Sequence, residues 1–182
     1  MITIIGTGQV GRAIFEQLQL QRKKSEILLV NKSGKVSFDL PKRTSVLAAD
    51  VTIPEKLIPI FKKSDMVFSC TDVPYQRWSN FYPLLSNAMI EGLKHSTTKL
   101  VFADNMYSYG NVKGQLIHEN LPHLATTKKG IIRAEIINNF SIGEVNNRVA
   151  IVKSSDFIGP RIEKGVFGID FLKSISKYRT KK

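Results

Sequence analysis

The sequence predicts one α/β domain built on a doubly wound parallel sheet. Three observations carry this. Short β-branched runs recur along the chain, separated by stretches with helical periodicity. The runs, Ile27-Leu28-Leu29-Val30 among them, are continuously apolar, as strands covered on both faces are. No internal repeat, low-complexity tract or linker interrupts the order.

Each element has its own signal. Ile2–Ile5 reads as a first strand ending in glycines, and residues 10–22 as a helix with Val10, Ile14, Leu18 and Gln21 along one side. Ile27–Val30 and Ser45–Ala49 are the next strands. Thr52-Ile53-Pro54-Glu55 has the signature of a helix start, a Thr cap, an early Pro and Glu three residues after the cap, and that helix runs to about Lys63. Met66–Cys70 is a fourth strand, residues 75–94 a long helix containing Pro83, and Leu100–Ala103 a fifth strand. An irregular loop through 126 precedes a helix at 127–140, the strand Val149–Lys153 and a last helix at 166–177. The domain is expected to span 1–170, with 171–182 a basic tail.

Composition narrows the class. Of 182 residues 42% are hydrophobic, enough for one packed core. Cys70 is the only cysteine, which excludes a disulfide framework and points to a reducing cytoplasm. No apolar run approaches the ~18 residues of a membrane span, and the start lacks the basic region of a secretory leader, so no membrane partner is expected. His95, His118 and His123 have no ligand spacing with other metal-binding residues, so no metal site is expected. A G-x-S-x-G elbow is also absent.

Lys and Arg number 27 against 15 Asp and Glu, a net charge of +12. Such charge can attract nucleic acid, anionic membrane or a phosphate-bearing cofactor, or simply face water. Nucleic acid is disfavoured, because neither an aromatic-basic RNA-binding pattern nor a helix-turn-helix signal is present.

Gly6-Thr7-Gly8-Gln9-Val10-Gly11 places G-x-G-x-x-G directly between the first strand and the first helix. In that context Gly6 permits the tight turn, Gly8 lets the backbone approach a pyrophosphate, and Gly11 lets helix and strand pack closely. The helix N-terminus presents free N–H groups to the phosphates. An acid about 20 positions further on would bind the adenosine ribose. That place reads Asn31-Lys32-Ser33-Gly34-Lys35, and no acid follows until Asp39. Two cations and no carboxylate suit a 2′-phosphate, so NADP is expected over NAD; a solvated basic turn is the other reading.

Further motifs accompany the loop. They are Ala49-Asp50-Val51, Cys70-Thr71, the run Val101-Phe102-Ala103-Asp104-Asn105-Met106-Tyr107-Ser108-Tyr109-Gly110, His118-Glu119-Asn120-Leu121-Pro122, and Ser155-Asp156-Phe157-Ile158-Gly159-Pro160. In this order the chain, from Met1 to about residue 170, resembles the extended and atypical short-chain dehydrogenase/reductases, the NAD-dependent epimerase/dehydratase group. The resemblance implies that Asp50 and Val51 lie near the adenine and that Cys70, Thr71 and Asp72 run along the cofactor. Cys70 reads equally as a small buried hydrophobe, and Asp50 as a strand-ending or capping residue.

That family uses a Ser or Thr on the fifth strand with a Tyr and a Lys four residues apart on the next helix. Alignment on Tyr109-Gly110 puts Asn105 at the Ser place, and alignment on Glu135 puts Thr127 at the Tyr and Ile131 at the Lys. The set is absent. Substitutes are Tyr107 or Tyr109 for the phenol, Lys128, Lys129 or Arg133 for the cation, and Asn105 as a hydrogen-bonding group; packing is the competing role for both Tyr residues. Asn105 and Tyr107 are the catalytic candidates.

Family members also continue past the Gly-Pro turn into a portion that closes over substrate, which is short here. They often pair through the helices at 75–94 and 127–140, which implies a homodimer; core packing of those helices is the alternative. Two functions follow: an NADP-dependent oxidoreductase or epimerase-like enzyme with an altered relay and an unidentified small-molecule substrate, or a non-catalytic NADP-sensing or regulatory binding protein.

Overall fold

Ile2, Thr3, Ile4 and Ile5 are all buried and form the central strand, β1 (Ile2–Ile5). The structure, a computed structural model, describes residues 1–22, 24–157, 171 and 173–175. β1 pairs in parallel with β2 (Ile27–Asn31) on one side and β4 (Met66–Ser69) on the other. β3 (Thr44–Ala48) adds beyond β2, and β5 (Lys99–Asn105) and β6 (Val149–Ser154) beyond β4. The order is therefore β3-β2-β1-β4-β5-β6, all parallel, and it reverses direction between β1 and β4. That reversal is where open α/β sheets bind ligands.

Helices α2 (Pro54–Lys62), α3 (Trp78–Lys94) and α4 (Lys128–Ser141) contribute to one large core. Phe61, Trp78, Tyr82, Leu85, Met89, Phe102 and Phe140 fill it. A smaller cluster centres on α1 (Gln9–Gln21), where Phe15 meets Ile4, Ile27 and Leu29. The β2–β3 connection has no helix; its Val36 and Phe38 pack there instead, Phe38 lying 5.4 Å from the Phe15 ring and under the Arg12 guanidinium at 4.8 Å. Pro59 and Pro83 sit inside α2 and α3, both exposed, so the carbonyls they free can meet water.

The doubly wound parallel sheet is as expected, with local differences that have physical reasons. Thr52 does not cap α2. Ile53 holds that position without a side-chain bond, while Thr52 donates its N–H and hydroxyl to Asp50 Oδ1 at 3.1 and 2.6 Å, an Asx-type turn just before the helix. A 3-10 turn at Tyr75–Arg77 precedes α3 where one helix from 75 was expected. Coverage on both faces holds for β1, whereas the edge strands β3 and β6 alternate, with Leu47 and Val152 exposed.

β5 runs two residues further than Ala103. Asp104 and Asn105 pair in register with Lys153 and Ser154 of β6, so the strand extends through both polar residues. Of the expected helix at 166–177, Phe171 and residues 173–175 are described and helical. The Gly159-Pro160 motif, the 170/171 boundary and most of the tail lie outside the described residues.

Candidate functional site

The crevice at the strand reversal is built by three close backbone approaches. Gly6 has a φ of +91°, and a Cβ there would lie 2.7 Å from the Thr71 nitrogen and 2.8 Å from the Cys70 carbonyl carbon. The turn after β1 thus lies directly against the segment after β4. A Cβ on Gly11 would fall 1.8 Å from the Gly6 carbonyl oxygen, an impossible contact, so only glycine lets α1 start this close to β1. Gly8 differs. It stands at the N-cap of α1, where glycine offers no capping side chain, and a Cβ would meet nothing within 4 Å. The protein leaves open space at Gly8, beside an electropositive helix end.

The end of β2 braces this loop. The Asn31 amide nitrogen donates to Thr7 Oγ1 and to the Lys35 carbonyl, both at 2.8 Å. Its oxygen accepts from Ser33 Oγ at 3.0 Å and from the Gly34 N–H at 2.7 Å. Both N–H groups and the oxygen of the Asn31 side chain are therefore engaged within the protein. The Lys35 carbonyl lies 3.3 Å from Ser33 Oγ and can only share its one hydroxyl hydrogen. Lys32 and Lys35 project from this turn exposed.

Asp50, exposed beyond β3, has its carboxyl held below the usual range, first by the Thr52 hydrogen bonds and then by the Lys32 and Arg77 charges. Val51 is buried in the large core. Burial pushes the Cys70 thiol up to about 12, so it is protonated at neutral pH and behaves as the small hydrophobe. Asp72 accepts from the Tyr82 hydroxyl at 2.6 Å and from the Val73 N–H at 2.8 Å, which fixes the segment after β4 to α3.

Beyond β5 the two candidate phenols separate. Tyr109 is buried, with Lys153 Nζ 4.6 Å from its ring centroid and His123 stacked at 4.9 Å, so it packs. Tyr107 is 43% exposed at the mouth of the crevice. Its hydroxyl lies 3.2 Å from that of Tyr75, and Lys129 Nζ lies 3.4 Å from the Tyr75 ring centroid. Trp78 backs both tyrosines. The hydrogen bond with Tyr107, and then burial, push the Tyr75 phenol up to about 12, so Tyr75 supplies no phenolate at neutral pH. Asn105 Oδ1 accepts from the Tyr107 N–H at 3.0 Å and so shapes the turn that presents Tyr107.

The positions aligned with the family's Tyr and Lys have other roles. Thr127 caps α4, its Oγ1 accepting from the Gly130 N–H at 3.2 Å, and Ile131 is partly exposed. Arg133 is not a free cation. Its guanidinium lies over the rings of Trp78 and Tyr82 at 4.1 and 3.9 Å and pairs with Asp104 at 3.1 Å.

Sequence reasoning missed Asp104, Lys153, Ser108 and the Tyr75–Trp78–Tyr82 aromatic group. A signal for the first two was present. Leu100, Phe102 and Asp104 share one face of β5, and Val149, Ile151 and Lys153 the matching face of β6, so period-two alternation carries both charges toward the core.

No family model matches the sequence, and no curated protein does. Solved structures match in fold. The enzyme WbmG of Bordetella bronchiseptica, in complex with NAD and UDP, aligns with a TM-score of 0.81 at 20% identity, covering 97% of this chain and 59% of that one. dTDP-glucose 4,6-dehydratase of Bacillus anthracis, in complex with NAD, gives 0.75 at 14% identity, covering 97% and 61%. A UDP-galactose 4-epimerase gives 0.74 at 19%, covering 98% and 64%. The chain thus has the sheet and helix order of these epimerase and dehydratase structures and spans about three-fifths of their length.

The glycines allow a separation of folding from binding. Gly8→Ala is expected to fold with its stability changed by no more than about 1 kcal/mol, the scale of a cap substitution, while losing dinucleotide affinity. Gly11→Ala should lose about 3 kcal/mol or more through backbone overlap. Thermal unfolding and cofactor titration of both variants check this, and a Gly8→Ala protein that binds normally contradicts the pyrophosphate role.

Proposed function

We propose that this chain is an NADP-binding protein, an oxidoreductase or epimerase-like enzyme whose proton relay departs from the Ser/Tyr/Lys set. The observation that carries the reading is the open space at Gly8, at the helix N-terminus beside the strand reversal. Those features fit a pyrophosphate. Gly6, Thr7, Gly8, Gln9, Val10 and Gly11 would hold it, with Lys32 and Lys35 near the 2′-phosphate. Asp50 and Val51 would border the adenine, and Cys70, Thr71 and Asp72 would line the path to the nicotinamide. When bound, the cofactor would accept or return a hydride.

WbmG and the Bacillus anthracis dehydratase carry NAD, so the preference for NADP rests on this chain's own β2 end. In the altered relay Tyr107 would be the exposed phenol, with Tyr75 and Lys129 beside it and Asn105 setting its turn. The substrates to screen first are nucleotide-linked sugars, given the names of the solved neighbours. The lone cysteine fits a cytoplasmic setting, and no helix among the described residues is long and apolar enough to cross a membrane.

A second reading, NADP sensing without turnover, is favoured by the fate of the relay positions. Thr127 is used as a helix cap, and Arg133 is packed into the core.

Titration with NADPH and NADH, following nicotinamide fluorescence and thermal stability, is the first test. NADPH should bind more tightly; equal or tighter NADH binding contradicts the Lys32/Lys35 role, and binding of neither removes the proposal. If a substrate turns over, Tyr107→Phe should lower kcat about a hundredfold with NADPH affinity unchanged. Unchanged turnover ends Tyr107's candidacy. The proposal extends to a homodimer through α3 and α4, where Leu84 and Ile131 stand exposed. A monomer by light scattering at high concentration would exclude it.

A further inference from the structure

Asp104, Arg133 and Lys153 form a charge cluster inside the large core's rim, where the strand pattern calls for apolar side chains. Their side chains are 1%, 5% and 11% exposed. Arg133 NH1 lies 3.1 Å from Asp104 Oδ1, and Lys153 Nζ lies 3.4 Å from Oδ2. A buried ion pair is often no more stabilising than apolar residues of the same volume, so stability alone explains the cluster poorly.

What the Lys153 ammonium reaches is more informative. It donates to Ser108 Oγ and sits over the ring of Tyr109. Ser108 is fully buried and, with Tyr109, forms the tight turn that begins at Tyr107. The Ser108 carbonyl accepts from the Ala125 N–H at 3.2 Å, closing the base of the long loop that follows. On the other side α4 comes so near that a Cβ on Gly130 would lie 2.6 Å from the Tyr107 carbonyl oxygen. The backbone of the turn is thus held from beneath by β6 and from the side by α4. Tyr107 alone among its three residues projects its side chain outward.

We infer that Lys153 is a positioning residue: acting through Ser108 and Tyr109, it fixes the Asn105–Tyr107 segment at the mouth of the crevice. The inference rests on the cofactor reading above. A dinucleotide lying across the strand reversal places its adenosine half over β1–β3 and its nicotinamide half beyond β4 and β5. Lys153 therefore governs how the nicotinamide half is held, and leaves the binding of the adenosine half alone.

Two probes separate the halves: NADPH, and 2′,5′-ADP, which lacks the nicotinamide. Lys153→Met removes the ammonium at similar volume; Ser108→Ala removes the hydroxyl it bonds and keeps the charge. Both variants should bind 2′,5′-ADP like the unaltered protein, lose most of the NADPH fluorescence change, and bind NADPH about tenfold more weakly, the scale of one lost hydrogen bond. Parallel weakening of both ligands would mean general structural support, and an unchanged NADPH signal would mean no role; either overturns the inference. If Lys153→Met fails to fold, Ser108→Ala decides it by the same two readouts. Failure of the unaltered protein to bind 2′,5′-ADP would instead remove the cofactor reading, and this inference with it.

Discussion

The approach of Gly11 to the Gly6 carbonyl oxygen constrains the rest of the molecule. A side chain would overlap that oxygen at 1.8 Å, so the start of α1 can sit on the end of β1 only with hydrogen at this place. β1 is the central strand, paired on both sides, and Gly6 in turn touches the backbone of Cys70 and Thr71. One short segment therefore fixes the direction of α1, the spacing of β1 and β4 at their ends, and the opening beside Gly8. Asn31 extends the constraint across the sheet by joining the loop, through Thr7, to the turn after β2. The crevice is shaped mainly by backbone, which explains why its lining side chains can be small.

The other half of the site is organised by charge. Asp104 lies between two cations in a region from which water is largely excluded, and Arg133 also lies against the rings of Trp78 and Tyr82. Removing either cation would leave a buried carboxylate undercompensated, which is strongly destabilising, even though the intact cluster contributes little net stability. Such a cluster specifies one arrangement of β5, β6, α3 and α4. Asp72 and Tyr82 extend it to the segment after β4. The glycine loop and the charge cluster thus meet at the Cys70–Asp72 segment, from opposite sides of the strand reversal.

Most of the fold was legible because its signals are local. The apolar runs and their spacing mark all six strands, and G-x-G-x-x-G marks the crevice. Thr52 misled because a cap signature and an Asx turn use the same residue types, and the acceptor Asp50 lay just outside the pattern. The end of β5 was shortened at Ala103 because Asp104 and Asn105 look like loop residues until they are paired with Lys153 and Ser154. Tyr75 and Tyr107, 32 positions apart, meet only because the ends of β4 and β5 are neighbours. Contacts of that kind depend on strand order, which no local pattern records.

The N-terminal turn of α4 is occupied by capping and close packing. Thr127 is drawn into capping, and Gly130 lets the helix press against the Tyr107 carbonyl. A phenol at 127 would have no capping oxygen in reach of the Gly130 N–H, and a side chain at 130 would push the helix off the turn. The same close packing of α4 therefore holds the turn that carries Tyr107 at the crevice. Tyr107 stands in the turn just beyond β5, and Lys153 of β6 supports that turn from beneath through Ser108.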